Sequence, residues 1–156
     1  MAARMNPERI GPLNNLRVID LGTMVAAPVA GTLLADFGAE VIKVEQSGCG
    51  DTLREIGTYL EGESLWWNVE GRNKKSVTID LRQEEGQALL RRLVEKADAV
   101  VENFRPGTLA KWNLGYEQLA AVNPGLVMLS VSGFGQTGPF AKRAGYDRIG
   151  LAFSES

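Results

Sequence analysis

The sequence contains no histidine and a single cysteine, Cys49. Without an imidazole there is no Ser-His-Asp triad, no Cys-His pair, no His-ligated zinc and no histidine general base. One thiol makes neither an internal disulfide nor a thiolate cluster, which favours a reducing compartment. Cys49 lies in a glycine turn with nothing to activate it, so a nucleophilic role is not expected. Long apolar runs are missing too. The stretch from Met24 to Ala35 is broken by Pro28, Gly31 and Thr32 and is too short to cross a bilayer. Residues 1–11 carry Arg4 and Arg9 but no apolar segment, and read as a disordered arm rather than a secretory signal. The expected setting is cytoplasmic, with no membrane partner. Neither sign of charge dominates: 17 basic residues face 19 acidic ones for a net −2, so bulk charge gives no reason to expect nucleic acid.

What is present is globular. The chain has 156 residues, 44% hydrophobic and 23% charged, enough for one domain that buries roughly 70% of its unfolded surface. After Pro12, strand-like and helix-like segments alternate. Strands are expected at 17–21, 41–45, 77–81, 99–104 and 126–131. A helix runs from Pro28 with Leu33, Leu34 and Phe37 on its apolar face, and Gly38 closes it. A second helix spans 84–97, and short ones cover 109–112 and 116–122. The segment 52–72, with Trp66 and Trp67, has no clear period and reads as an excursion holding a short helix. This order predicts an α/β, Rossmann-like, open and mainly parallel sheet of about five strands with helices on both faces. Such sheets bind ligands beyond the carboxyl ends of their strands. The loops to inspect are Gly22–Ala27, Gln46–Asp51, Arg82, Asn103–Gly107 and Ser132–Tyr146.

Loops of this kind suit several classes of ligand. Glu45 ends the second strand where dinucleotide folds place a ribose-binding carboxylate, but the loop after the first strand lacks the glycine fingerprint, which disfavours NAD or FAD. No Walker lysine motif is present. A phosphate-bearing ligand is favoured by Arg105, Lys111 and Arg143, and by Arg72-Asn-Lys-Lys75, although that run taken alone reads as a solvated turn. Ser132-Gly-Phe-Gly-Gln-Thr-Gly-Pro139 suits either a close-approach surface or a structural turn. Asp80, Glu102 and Asp147 have no spacing that marks an acid–base pair, and the first two serve equally well as acceptors for strand-end backbone donors.

Taken together, Leu16-Arg-Val-Ile-Asp-Leu-Gly22, Ala27-Pro28, Gly38-Ala-Glu-Val-Ile-Lys-Val-Glu45, Gly50-Asp51, Arg72-Asn-Lys-Lys-Ser76, Ile79-Asp-Leu81, Asp98-Ala-Val-Val-Glu-Asn-Phe-Arg-Pro-Gly107, Leu114-Gly-Tyr116, Gly133-Phe-Gly-Gln-Thr-Gly-Pro139 and Arg143-Ala-Gly-Tyr-Asp147 resemble the family III CoA-transferases. The resemblance runs from Pro12 to Phe153. It implies coenzyme A or an acyl-CoA as substrate, no tightly bound cofactor or metal, and a homodimer. By position, Val25 and Ala26 would line the CoA path, and Leu81 and Arg82 would lie near the adenine. Asn103, Phe104 and Arg105 would hold the nucleotide and pantetheine, with Lys111 reaching a phosphate. Tyr146, within Ala144–Asp147, would approach the thioester end. Gln46 departs from the pattern, since many members carry a basic residue there. The resemblance also implies a nucleophilic aspartate some tens of residues after Tyr146-Asp147, beyond Ser156. Residues 12–156 then read as the amino-terminal part of a large domain, truncated, with no catalytic residue of its own. An α-methylacyl-CoA racemase is the alternative, but its proton-transfer histidine would fall at Tyr146, and a phenol is a poor substitute for imidazole near neutrality. A non-catalytic interaction module is the other, self-associating through exposed apolar surface.

Overall fold

A computed structural model describes residues 10–154. The expected arm lies outside the described residues as far as residue 9, and Ile10, the first described, is exposed. The main sheet contains β1 (Arg17–Asp20), β2 (Glu40–Glu45), β5 (Lys74–Thr78), β6 (Ala99–Glu102) and β7 (Val127–Ser130). They lie in the order β5-β2-β1-β6-β7, all parallel. Between them run α1 (Ala26–Asp36), α3 (Glu84–Val94), α4 (Thr108–Lys111) and α5 (Tyr116–Val122), and α6 (Asp147–Ser154) follows β7. The segment between β2 and β5 forms the small hairpin β3 (Tyr59–Leu60) and β4 (Glu63–Ser64) and then α2 (Leu65–Glu70). The sequence predicts only a short helix there.

Strand alternation sends side chains to two separate cores, as a sheet covered on both faces requires. Ile19, Val44 and Val100 pack with Leu90 and Val94 of α3 and Leu119 of α5. Val18, Val41 and Val101 pack with Ala27 and Ala35 of α1. The Rossmann-like α/β arrangement is therefore the observed one. α1 sits close on the sheet because Gly31 has no side chain: a Cβ there would come within 2.7 Å of Asp20 Oδ2. α3 carries Glu84 and Glu85 in its first turn and Arg91 and Arg92 in its last, the arrangement its dipole favours.

One strand begins earlier than its sequence predicts. β5 starts at Lys74, not Val77, so Asp80 and Leu81 lie beyond its end. β5 is an edge strand, and its lysines do not alternate with apolar residues; the pairing of Lys74 with Val41 and Lys75 with Ile42 fixes its register instead. Among the described residues no helix is long and apolar enough to cross a membrane. Nor is there a group of three or more His, Cys, Asp or Glu side chains placed to hold a metal ion.

Candidate functional site

The chain leaves β1 towards β2 and β5 on one side, and returns to build β6 and β7 on the other. Strand order therefore reverses between β1 and β6, and at such a switch point open sheets bind ligands in a crevice beyond the carboxyl ends of the strands. Its walls here would be the loop Gly22–Val25 and the turn Asn103–Gly107, which meet at that point.

The first wall has a specific construction. Gly22 N–H donates to Asp20 Oδ1 at 2.8 Å, and Lys43 Nζ donates to the Gly22 carbonyl. Thr23 N–H donates to Asn103 Oδ1, and Asn103 Nδ2 donates back to the Thr23 carbonyl, both at 2.8 Å. Met24 N–H donates to Asp51 Oδ1 at 3.1 Å. In dinucleotide-binding sheets the peptide N–H groups of this turn face a pyrophosphate. Here side chains from β1, β6 and the loop after β2 take them up, which agrees with the missing glycine fingerprint. Met24 adopts φ 61°, a left-handed conformation that costs a non-glycine residue roughly 1–2 kcal/mol.

Beneath that wall lie four buried charges. Lys43 Nζ is 2.9 Å from Asp51 Oδ2 and 3.7 Å from Asp20 Oδ1, and Lys74 Nζ is 2.9 Å from Asp20 Oδ2. The Lys74 ammonium also donates to the Pro28 carbonyl at 2.6 Å. Burial lowers the Lys74 pKa, and the attraction of Asp20 opposes that shift. In the Arg72–Lys75 run, Arg72 and Asn73 lie in an exposed turn, one of the readings of the sequence, while Lys74 and Lys75 begin β5. Arg72 and Asn73 hold Asp36, Lys74 holds Asp20, and Lys75 holds Glu40.

Glu45 is likewise structural. Its carboxylate receives Arg54 Nε at 2.7 Å, Arg54 Nη2 at 2.8 Å, Asp51 N–H at 2.8 Å, and the Ser76 hydroxyl. Burial works to raise its pKa, but these donors outweigh burial and hold it at about 2. A carboxylate depressed in the folded state contributes stability that is present above its unfolded pKa, near 4.3, and is lost as pH falls through the folded value. Stability is therefore expected to fall between about pH 4.5 and 2. In an acid-unfolding titration, Glu45→Gln should flatten the curve in that window; an unchanged slope would refute the assignment.

Glu102 and Asp80 serve backbone donors at strand ends, one of the two readings of the sequence. Glu102 Oε2 accepts Phe104 N–H at 2.7 Å, and Asp80 Oδ1 accepts Arg82 N–H at 3.0 Å. Burial raises the Glu102 pKa against its hydrogen bonds from Ser130 and Phe104.

The residues singled out from the sequence are distributed as follows. Val25 is the residue before α1 and Ala26 its first, both exposed at the crevice wall. Gln46 is exposed at the end of β2. Leu81 is buried, its side chain in the core with Leu90 and Val94. Arg82 folds onto Asp80, with Nε–Oδ1 at 2.9 Å and Nη2–Oδ2 at 3.0 Å. Asn103 bridges to Thr23, and Phe104 stands edge-on to Trp112 at 5.6 Å between ring centres. Arg105 lies in the turn that leads into α4 and Lys111 is the last residue of that helix; both are exposed and make no ion pair among the described residues. Tyr146 is exposed just before α6. Gly133 and Gly145 cross backbone to backbone, closing the base of the loop between them. Arg143 in that loop lies over the Phe140 ring at 4.5 Å.

Sequence reasoning missed the anchors Asp20, Lys43 and Asp51. The available signal was a lysine inside the otherwise apolar run Val41-Ile-Lys-Val44, because a lysine is almost never fully buried unless paired.

Comparison with known proteins adds a separate line of evidence. The profile of CoA-transferase family III matches residues 13–155. The chain is 61% identical over 142 residues to a succinyl-CoA–D-citramalate CoA-transferase of Chloroflexus aurantiacus, covering 90% of this chain and 35% of that protein. It is 52% identical over 145 residues to the alpha subunit of a succinyl-CoA–L-malate CoA-transferase of Chloroflexus aurantiacus, covering 92% of this chain and 34% of that protein. Among solved structures, a CAIB/BAIF family protein from Brucella suis aligns with TM-score 0.83 and 46% identity, over 89% of this chain and 38% of its own. A hypothetical protein of Mycobacterium tuberculosis aligns with TM-score 0.86 and 40% identity, over 94% of this chain and 40% of its own. The chain thus spans about a third of the length of the curated relatives it matches.

Proposed function

Because the chain belongs to CoA-transferase family III, we propose that the crevice between β1 and β6 receives coenzyme A or an acyl-CoA, with no resident cofactor or metal. The observation that carries this reading is which basic groups lack a carboxylate partner. Arg54, Arg72, Lys74, Lys75 and Arg82 each have a carboxylate partner. Arg105, two residues after Asn103, and Lys111, which ends α4, are exposed and have no such partner among the described residues, which suits phosphate contacts. Val25 and Ala26 then form an apolar wall for the pantetheine, with Asn103, Phe104 and Arg105 opposite. Gln46, Arg82 and the backbone at Leu81 border the adenine, and Tyr146 faces the thioester end.

Calorimetric titration and thermal shift test this directly. CoA should raise Tm and NAD should not. Arg105→Ala should weaken CoA binding about tenfold, a loss of about 1.4 kcal/mol. No response of the unsubstituted protein to millimolar CoA would overturn the reading.

For the longer protein we propose transfer of CoA between carboxylic acids: an aspartate beyond Ser156 attacks the acyl-CoA carbonyl to give a mixed anhydride and CoA thiolate, and the thiolate then attacks the aspartyl carbonyl, releasing the donor carboxylate and leaving aspartyl-CoA. The names of the relatives favour succinyl-CoA as donor and a hydroxydicarboxylate, such as malate or citramalate, as acceptor. We further propose self-association through apolar surface that the described residues leave open. Val127 is 65% and Leu129 46% exposed on the same face of edge strand β7. Light scattering should give a mass that rises with concentration, and Leu129→Lys should hold the chain monomeric. A concentration-independent monomer for the unsubstituted chain rules this out.

A further inference from the structure

We infer that Asp51 is a positioning residue for the crevice: its carboxylate fixes Met24 in the left-handed conformation and so sets where Met24 and Val25 stand in the wall. The inference rests on the CoA reading for its functional consequence, and on geometry for its cause. Asp51 makes polar contacts in four directions. Oδ1 accepts Met24 N–H at 3.1 Å and Leu53 N–H at 2.9 Å. Oδ2 pairs with Lys43 Nζ at 2.9 Å, and Asp51 N–H donates to Glu45 Oε2 at 2.8 Å. One side chain thereby ties the loop after β2 to the loop after β1 and, through Lys43, to the carbonyl of Gly22.

Both members of the Lys43–Asp51 pair are about 1% exposed. Replacing a buried pair of this kind by apolar side chains is often neutral or stabilising, so net stability is a weak reason for its presence. Its geometry gives a better one. Met24 has φ 61°, which a residue with a Cβ holds only when its surroundings over-determine it. Among the described residues, the hydrogen bond that ties the Met24 backbone into that conformation comes from Asp51. Release of the amide would let φ return to the negative range, swinging the adjoining peptide and the Val25 side chain away from their present places.

The test is a set of variants on the whole chain, read by CoA calorimetry well below Tm and by hydrogen exchange. Asp51→Ala should weaken CoA binding at least tenfold while the amides of β1 remain protected, so that the loss is not one of folding. Asp51→Asn keeps an acceptor for Met24 N–H and should fall between. In a Met24→Gly background, removal of the Asp51 carboxylate should cost less than threefold, because glycine adopts a positive φ without the steric penalty that the carboxylate otherwise offsets. A merely stabilising residue would show the same cost in both backgrounds, and that result overturns the inference. If Asp51→Ala does not fold, Asp51→Asn in the two backgrounds carries the same comparison. If the unsubstituted chain binds no CoA, the CoA reading fails, and the functional half of the inference with it. Exchange at the Met24 amide then decides the geometric half, and unchanged protection in the Asp51 variants overturns that.

Discussion

Asp20→Ala should cost the fold about 3–5 kcal/mol, the range seen when one member of a buried charge network is removed. Asp20 is fully buried, and its oxygens hold Lys74 at 2.9 Å, Lys43 at 3.7 Å and the Gly22 amide at 2.8 Å. Alanine leaves two ammonium groups and one N–H without that partner. Against a total stability of about 5–15 kcal/mol for a domain, the loss is large. It should also change how stability responds to pH. Lys74 already titrates below its ordinary value because it is buried, and without Asp20 burial acts unopposed by that attraction. Over the window between the lowered folded pKa and the unfolded value near 10.4, the unfolded chain binds more protons. Stability of the variant should therefore rise with pH through that window, more steeply than in the unsubstituted protein. Urea unfolding at neutral and alkaline pH measures both effects. A loss below about 1 kcal/mol would mean that the lysines find water or other acceptors, and the network would not be the keystone its geometry indicates.

The second large effect concerns binding rather than folding. Gly133 and Gly145 pass backbone against backbone, and a methyl group on either would overlap the other's Cα. Neither has a flexible side chain that can give way, so Gly133→Ala must separate the two strands of the loop. Tyr146 follows Gly145 directly, and Arg143 with its Phe140 contact lies just before it. The expected outcome is a chain whose sheet remains intact, with only a modest fall in Tm, but whose CoA affinity falls at least tenfold. Hydrogen exchange should rise across 133–146 and stay low in β1 and β6. Equal losses of sheet and loop protection would show instead that the crossing supports the whole fold.

Much of the architecture was legible in the residues. The β-branched runs Arg17-Val-Ile-Asp20 and Ala99-Val-Val-Glu102 announce central strands, and Gly38 announces the end of α1. Loops at the carboxyl ends were legible as well, because βαβ crossovers make the strands parallel and bring their carboxyl ends to one edge of the sheet. Two things were not. Lys74 and Lys75 look like solvent-facing residues, and only the partners Asp20 and Glu40, 54 and 35 residues away, show that they belong to an edge strand. The wall of the crevice was hidden for the same reason. That Thr23 would bond to Asn103 and Met24 to Asp51 depends on which strand ends become neighbours, and no local pattern encodes it. The motif Gly50-Asp51 was visible as part of a family resemblance, but its physical task was not.

The bridge between Thr23 and Asn103 also bears on the order in which the molecule assembles. Its two residues are 80 apart, and β1 and β6 are tied at their other end by Arg17 N–H on Asp98, 81 residues apart. β1, α1 and β2 are contiguous and close over short loops, and β5 joins them across the excursion that holds β3, β4 and α2, whereas the β1–β6 seam must await a longer closure whose entropy cost comes before its contacts. The crevice lies on that seam, so it exists only once the last and longest-range pairing is made. A ligand that binds there should leave the rate of early assembly untouched and act on the lifetime of the closed sheet, slowing its unfolding.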